Sequence, residues 1–232
     1  MNIVLIVSAV IFLFGVFNGL RKGLIRSVFS TFILVAALAV AAYSGPYAAK
    51  FLKTTIVYDR IYEKIESSVA AKAQEKISMQ VGEQVELIQG LPLPETIKSG
   101  MLEHNHTEMY DVLGVETFAA YVSDYISMLI INALSYVVMF IAAYIVLKLI
   151  CLVMDKIVEL PILNGLNRFG GMLFGICNGI MGVWLLYIVI TAFAATTWGE
   201  KAMMLINENQ ITSFIYNHNY LIEIIKNISE II

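Results

Sequence analysis

The longest stretch without a charged residue lies between Arg168 and Glu200 and reads FGGMLFGICNGIMGVWLLYIVITAFAATTWG over residues 169–199. These 31 residues are rich in Ile, Leu, Val, Phe and small side chains. A helix rises about 1.5 Å per residue, so about 20 residues cross a hydrocarbon core of roughly 30 Å. The stretch is therefore long and apolar enough to cross a membrane as one helix.

Three further charge-free stretches precede this one. They cover residues 1–20, 27–49 and 125–147, which are 20, 23 and 23 residues long. The first stretch lacks a positive leader region and a small-residue cleavage site, so we predict a retained span and not a signal peptide. We predict four transmembrane helices, near residues 3–19, 25–44, 125–148 and 169–193.

The composition of the whole chain fits a membrane protein. Of its 232 residues, 59% are hydrophobic and 14% are charged, and the formal net charge is −3. Soluble domains carry about 25% charged residues, so this chain has too little polar surface for a water-soluble globule. The composition also excludes a disordered protein, a nucleic-acid-binding protein and a disulfide-stapled secreted domain. We expect the lipid bilayer, and no nucleic acid, as a partner.

Basic residues in the short loops predict the orientation of the spans. The first loop contains Arg21, Lys22 and Arg26, and the loop between the third and fourth spans is bracketed by Lys148 and Arg168. Lys and Arg in short loops are enriched on the cytoplasmic side of a membrane. We therefore interpret these five residues as topology anchors and predict that both chain termini lie outside the cytoplasm.

The spans divide the chain into four predicted parts and give an all-α, polytopic fold. The parts are a transmembrane hairpin over 1–45, an extracytoplasmic helical insertion over 46–124, a second transmembrane hairpin over 125–197 and an amphipathic C-terminal tail over 198–232. In the insertion, apolar residues recur at every fourth position from Ile61, which predicts a helix, and Gly90-Leu91-Pro92-Leu93-Pro94 predicts a break. A second helix is predicted after Thr107. The tail is predicted to form an amphipathic helix that lies in the outer interface or packs on the insertion.

Two sets of glycine residues recur at every fourth position. The first set is Gly15, Gly19 and Gly23, and the second is Gly171, Gly175 and Gly179. Glycines four residues apart share one helix face and let a neighbouring backbone approach closely. We interpret both sets as helix-packing faces, with the lining of a narrow pore as the alternative.

Polar side chains inside the predicted spans are few, the main ones being Asn132, Ser135 and Asn178. An amide in hydrocarbon needs a hydrogen-bond partner, so we predict that Asn132 or Ser135 approaches Asn178. The alternative is that each amide bonds a carbonyl of its own helix. No ionisable residue lies deep in a predicted span, which disfavours a proton- or ion-coupled carrier.

The sequence contains no nucleophile elbow, phosphate loop, zinc-protease motif or dinucleotide fingerprint. The one cluster of metal-type ligands runs from Glu103 to Glu108, and we interpret it as a solvated loop because a third nitrogen or sulfur donor is lacking apart from His218. We therefore predict no catalytic residues, no metal site and no cofactor. A small-molecule substrate cannot be named from the sequence.

Two glycine-rich stretches resemble those of a known family. Gly19-Leu20-Arg21-Lys22-Gly23-Leu24-Ile25-Arg26 follows the first span, and Asn167-Arg168-Phe169-Gly170-Gly171, continued by Gly175 and Gly179, opens the last. In order and spacing relative to four spans, they resemble the bacterial colicin V production protein (CvpA) family. The resemblance covers about residues 1–45 and 125–195, and the long insertion over 46–124 departs from compact family members.

This resemblance implies a multi-pass protein of the bacterial plasma membrane. It implies a role in the production or secretion of a colicin V-type toxin and in envelope homeostasis, without catalytic activity. Two alternatives stay open: an oligomeric channel or transport accessory for small solutes, and a scaffold or sensor that acts through residues 46–124. A second copy of the chain or other membrane proteins are the protein partners that these functions imply.

Overall fold

The structure is a computed structural model that describes residues 2–73, 81–105, 117–154 and 164–228. Within these ranges the chain is helical and contains no β-strand, so the predicted all-α fold is confirmed. The helices are α1 (Ile3–Lys53), α2 (Ile56–Ala73), α3 (Val81–Gln89), α4 (Glu95–Glu103), α5 (Phe118–Met154), α6 (Asn164–Ala192), α7 (Thr197–Glu208), α8 (Gln210–Asn217) and α9 (Tyr220–Ile228).

Three of the described helices, α1, α5 and α6, are long and apolar enough to cross a membrane. The third and fourth predicted spans correspond to α5 and α6. Each begins earlier than predicted, at Phe118 and Asn164. The first and second predicted spans both lie in α1, which has 51 residues. They are joined without a loop because one glycine makes the whole turn between them.

That turn is at Gly23, whose backbone angles are φ 76° and ψ 177° within an otherwise helical segment. The hydroxyl of Ser27 donates to the carbonyl of Gly19 at 3.4 Å. Residues eight apart on a straight helix are separated by about 12 Å along its axis. The two arms of α1, residues 3–22 and 24–53, therefore fold back toward each other at Gly23.

The second arm of α1 continues through Pro46, where the sequence predicts the end of the first hairpin. Proline removes one backbone donor, and long apolar helices tolerate this loss where neighbouring helices pack on them. Ala41 and Ala49, on either side of the proline, are both buried. The predicted boundary at residues 45 and 46 thus falls inside α1, which ends at Lys53.

Side-chain contacts fix the directions of the long helices. The Tyr136 hydroxyl on α5 donates to the Leu38 carbonyl at 3.3 Å, so the second arm of α1 lies against α5. The Ser8 hydroxyl donates to the Tyr187 hydroxyl at 3.2 Å, which brings the start of α1 to the end of α6. The Gly23 turn therefore lies at one end of the bundle. At the other end lie α2–α4 and α7–α9, which we call the cap.

The tail forms three short helices in the described structure, not the single amphipathic helix that the apolar stripe predicts. Asn209 accepts the backbone N–H groups of Ile211 and Thr212 at 3.0 and 3.2 Å and begins α8. Asn219 accepts the N–H of Leu221 at 3.0 Å and begins α9. Asparagine side chains compete in this way with the helix backbone, so each amide interrupts the stripe.

The tail packs on the insertion and on α6. The Asn207 amide donates to the Leu93 carbonyl at 2.8 Å, and the Thr96 hydroxyl donates to the Asn217 side chain at 2.8 Å. The predicted break around Gly90–Pro94 separates α3 from α4. The helix predicted after Thr107 begins outside the described residues.

Candidate functional site

The two glycine sets face each other across one helix interface, which we call the glycine interface. A Cβ placed on Gly15 would lie 2.6 Å from the Cα of Gly179, and one on Gly19 would lie 2.7 Å from the Cα of Gly175. A Cβ on Gly171 would lie 2.8 Å from the Cα of Gly23. The order of these pairs makes the first arm of α1 antiparallel to α6.

This interface leaves no room for side chains between the two backbones. Cβ atoms essentially never approach other atoms within 3.0 Å, and the obstructing atoms here belong to the main chain, which cannot rotate away as a side chain can. In contrast, a Cβ on Gly165, at the start of α6, would meet nothing within 4 Å. Close backbone contact of this kind supplies dispersion energy where lipid gives no hydrophobic driving force between helices.

Asn167 completes the interface at the turn. Its Oδ1 accepts the backbone N–H of Leu24 at 2.6 Å, a donor that the break at Gly23 frees from the helix. A Cβ on Gly23 would lie 2.5 Å from Asn167 Nδ2. The sequence motif around Asn167 does not reveal this role, since the group that Asn167 caps is 143 residues away along the chain.

All five predicted topology anchors lie exposed at the Gly23 end of the bundle. Arg21, Lys22 and Arg26 flank the turn, and Arg168 is in the first turns of α6. Lys148 reaches the same end because α5 runs antiparallel to the second arm of α1. Two of these cations lie over aromatic rings, Arg21 at 5.7 Å from the Phe17 centroid and Lys148 at 5.5 Å from that of Tyr144.

The predicted hydrogen bond to Asn178 is not formed in the structure. The Ser135 hydroxyl donates to the Ile131 carbonyl of its own helix at 2.7 Å, because a helical serine reaches the carbonyl four residues earlier without strain. Asn132 is buried, and its Nδ2, like the buried Oδ1 of Asn178, has no hydrogen-bond partner in the described part of the chain. The alternative, in which each amide bonds a local carbonyl, is not observed for Asn132, whose Nδ2 has no partner among the described residues.

The aspartate that borders the third charge-free stretch of the sequence carries a buried carboxyl group. Asp124 is the seventh residue of α5 and is 6% exposed. Its Oδ1 accepts the hydroxyl of Tyr58 from α2, and its Oδ2 is buried without a hydrogen-bond partner among the described residues. Burial, followed by the hydrogen bond to Asp124, raises the pKa of Tyr58 far above its ordinary value, so this hydroxyl remains a donor.

The signal for Asp124 was present in the sequence. Ser123 and Ser127 flank the aspartate, both are fully buried, and both donate to carbonyls of their own helix. Polar residues three and four apart in a long apolar helix mark one polar patch on its face. A further signal is Thr117, whose hydroxyl accepts the N–H of Ala120 at 3.1 Å and caps the start of α5, so the helix begins at Phe118, well before the aspartate.

A cavity of about 160 Å³ opens within the cap. Ile65 of α2, Ile126 of α5, Ala194 and Ala195 form apolar walls, and Glu200 is among the polar lining residues. No group of three or more potential metal ligands occurs within the residues that the structure describes.

The comparison with known families agrees with this architecture. The sequence profile described as Colicin V production protein matches residues 5–73 and 111–219. The chain belongs to the colicin V production protein family. The match contains the six residues of the glycine interface together with Asn167, Tyr58 and Asp124.

The family match extends beyond the two segments that carry the resemblance in the sequence. It includes α2 and most of the tail, and it leaves out residues 74–110, which contain α3 and α4. No curated protein and no solved structure matches the chain. The cap therefore contains helices inside the family match, such as α2, and one segment that lies outside it.

Proposed function

We propose that this protein is a non-catalytic component of the bacterial plasma membrane that supports the production or secretion of a colicin V-type toxin and envelope homeostasis. The observation that carries the proposal is the family match across α1, α2, α5 and α6, the helices that form the glycine interface and its supports. Large apolar side chains such as Phe14, Phe32 and Ile145 are exposed around these helices, as a lipid-facing surface requires.

We further propose four membrane crossings, two of them by α1. A straight helix of this length would extend about 76 Å, more than twice the hydrocarbon thickness of roughly 30 Å. The arms on either side of Gly23 have about 20 and 30 residues, which suits one crossing each. The exposed basic residues at the Gly23 end favour a cytoplasmic turn, with the cap and both termini outside.

Cysteine accessibility tests this topology. Single cysteines at Lys22, Arg60 and Gln210, which are all exposed, are labelled in intact cells with a membrane-impermeant maleimide. We expect immediate labelling at Arg60 and Gln210 and labelling at Lys22 only after permeabilisation. Labelling of Lys22→Cys in intact cells would contradict the proposed orientation.

The functional proposal is tested by complementation. In a strain that secretes a colicin V-type toxin, deletion of this gene is expected to reduce toxin activity in the medium, and the wild-type chain is expected to restore it. Gly165→Leu should also restore it because that position is open, whereas Gly175→Leu should not because its Cβ meets backbone. Unchanged secretion after deletion would contradict the proposal, and immunoblots of membrane fractions separate loss of function from loss of protein.

Two alternative functions, a small-solute channel and a scaffold or sensor, make different experimental predictions. A pore lined by the glycines is disfavoured because the glycine interface is filled by backbone on both sides. Solute flux in liposomes that contain the purified protein would nevertheless support an oligomeric channel. A scaffold or sensor acting through the insertion predicts that deletion of residues 55–118 abolishes function while the remaining helices still insert.

A further inference from the structure

The carboxyl group of Asp124 is held in two unequal environments. One oxygen has a hydroxyl donor from Tyr58, and the other is buried with no hydrogen-bond partner among the described residues. An ionised carboxylate buried with an unpaired oxygen loses most of its solvation energy without replacement. A proton on Oδ2 removes the charge, and with it the larger part of that cost, while leaving the Tyr58 hydrogen bond intact.

No cation in the described structure compensates the buried oxygen directly. The nearest basic side chain is that of Lys53, which is exposed and has its ammonium 5.9 Å from the centre of the Tyr58 ring. The ion pair described, between Lys98 and Glu95, is elsewhere in the cap. Lys53 therefore attracts the carboxyl group only through partly solvated space.

The other ionisable groups around this position come from the elements packed on this end of α5. They are Tyr58, Asp59, Tyr62, Lys64 and Glu66 on α2, His104 directly after α4, Glu200 on α7 and Glu223 on α9. Asp59, Tyr62 and Glu66 are acidic or neutral and do not favour a negative charge on Asp124. Lys64 and Glu200 line the cavity that Ile126 borders, and Lys64 is exposed. On α6, Tyr187 contacts Ser8 of α1, and Arg168 lies at the opposite end of the bundle.

One part of α2 borders an unfilled cavity. The cavity of about 160 Å³ is lined by Lys64 and Ile65 of α2, by Ile126 of α5 and by residues of segments 91–93 and 194–200. An unfilled cavity weakens the packing of its walls. Movement of α2 away from α5 breaks the Tyr58–Asp124 hydrogen bond and exposes Ile65, which loses fewer contacts on the side where it borders the cavity.

We propose that Asp124 is a proton-binding site that holds α2 against the membrane bundle. When α2 is docked, the carboxyl group is buried and binds a proton on Oδ2. When α2 moves away, water reaches the carboxyl group and the proton dissociates to solvent. Because the docked state binds the proton more strongly, docking is favoured at low pH and weakens as the external pH rises.

The accessibility of Ile65 reports this movement. Ile65 is 7% exposed, and Arg60 on the same helix is exposed. Cysteines are introduced singly at Ile65 and Arg60 in a full-length chain with Cys151→Ala and Cys177→Ala, reconstituted in lipid nanodiscs. The ratio of the two maleimide labelling rates removes the intrinsic pH dependence of thiol reactivity.

We expect this ratio to rise about tenfold between about pH 5 and about pH 8, the change that one unit of difference in proton affinity produces. Asp124→Asn, which is neutral at every pH, should keep the ratio low and flat. Asp59→Asn, on the exposed side of α2, should retain the wild-type rise. Asp124→Ser provides a second neutral variant if Asp124→Asn does not fold.

Two results would overturn the proposal. One is a ratio that does not change with pH in the wild-type chain, or that changes equally in the Asp124 variants. The other is a ratio that responds at constant pH to replacement of Na⁺ by choline, because the carboxyl group would then bind a metal cation and not a proton.

Discussion

The glycine interface and the cap are stabilised by opposite means. Between α1 and α6, side chains are absent and the two backbones touch. In the cap, the helices pack through large buried side chains such as Ile97 and Ile206, and single polar side chains close the helix ends, as Asn207 does on the Leu93 carbonyl. In lipid, close contact between two helix backbones supplies the stabilisation that the hydrophobic effect supplies in water. In the cap, amide side chains form hydrogen bonds with the unpaired backbone groups at the ends of short helices.

The substitution with the largest expected effect is Gly175→Leu, which separates the two backbones. A Cβ at this position would lie 2.7 Å from the Gly15 carbonyl oxygen and 3.1 Å from the Cα atoms of Val16 and Gly19. Overpacking of this kind costs about 3 kcal/mol, so we expect a clear fall in the thermal unfolding midpoint in detergent. Gly165→Leu on the same helix is the matched control, and equal midpoints for the two variants would show that the interface does not need glycine.

An intermediate effect is expected for Gly23→Ala, which tests the turn. The φ of 76° is costly for any residue with a Cβ, and strain of this type amounts to about 1–3 kcal/mol. We expect Gly23→Ala to lower the unfolding midpoint. Adding Asn167→Gly should not restore the midpoint, because removing the neighbouring side chain relieves the contact but not the backbone strain. Full restoration in the double variant would mean that crowding, and not the backbone angle, selects glycine here.

The smallest effect is expected for Asn207→Ala, which removes one link in the cap. The Leu93 carbonyl loses the donor of a partly buried hydrogen bond, so the loss is about 1 kcal/mol. We expect faster amide hydrogen exchange in α4 and α7 with an almost unchanged global unfolding midpoint. Glu208→Ala, an exposed neighbour, serves as the control, and a large fall in the global midpoint would show that cap and bundle unfold together.

The sequence predicts the glycine interface better than it predicts the cap. The four-residue spacing of the glycines and the length of the apolar stretches are local patterns, and local patterns determine both helix position and helix face. The two glycine sets contact each other, and Asn167 caps Leu24, only because the tertiary structure brings together helices that are far apart in sequence. Spacing within each set could not reveal it.

The cap was predicted least well because single amides, and not periodicity, set its helix boundaries. Asn209 and Asn219 interrupt a stripe that predicts one helix, and their effect depends on which backbone donors they meet. The serines that flank Asp124 mark a polar patch on α5, but the burial of its carboxyl group follows from the position of α2, which local spacing does not specify.

The Asn207–Leu93 contact joins residues 114 positions apart, so the acceptor is synthesised long before its donor. During translation, α3 and α4 are complete before α7 exists to pack against them. A ribosome stalled before residue 207 would leave the Leu93 carbonyl without this donor. This link of the cap therefore forms only after α7 has emerged.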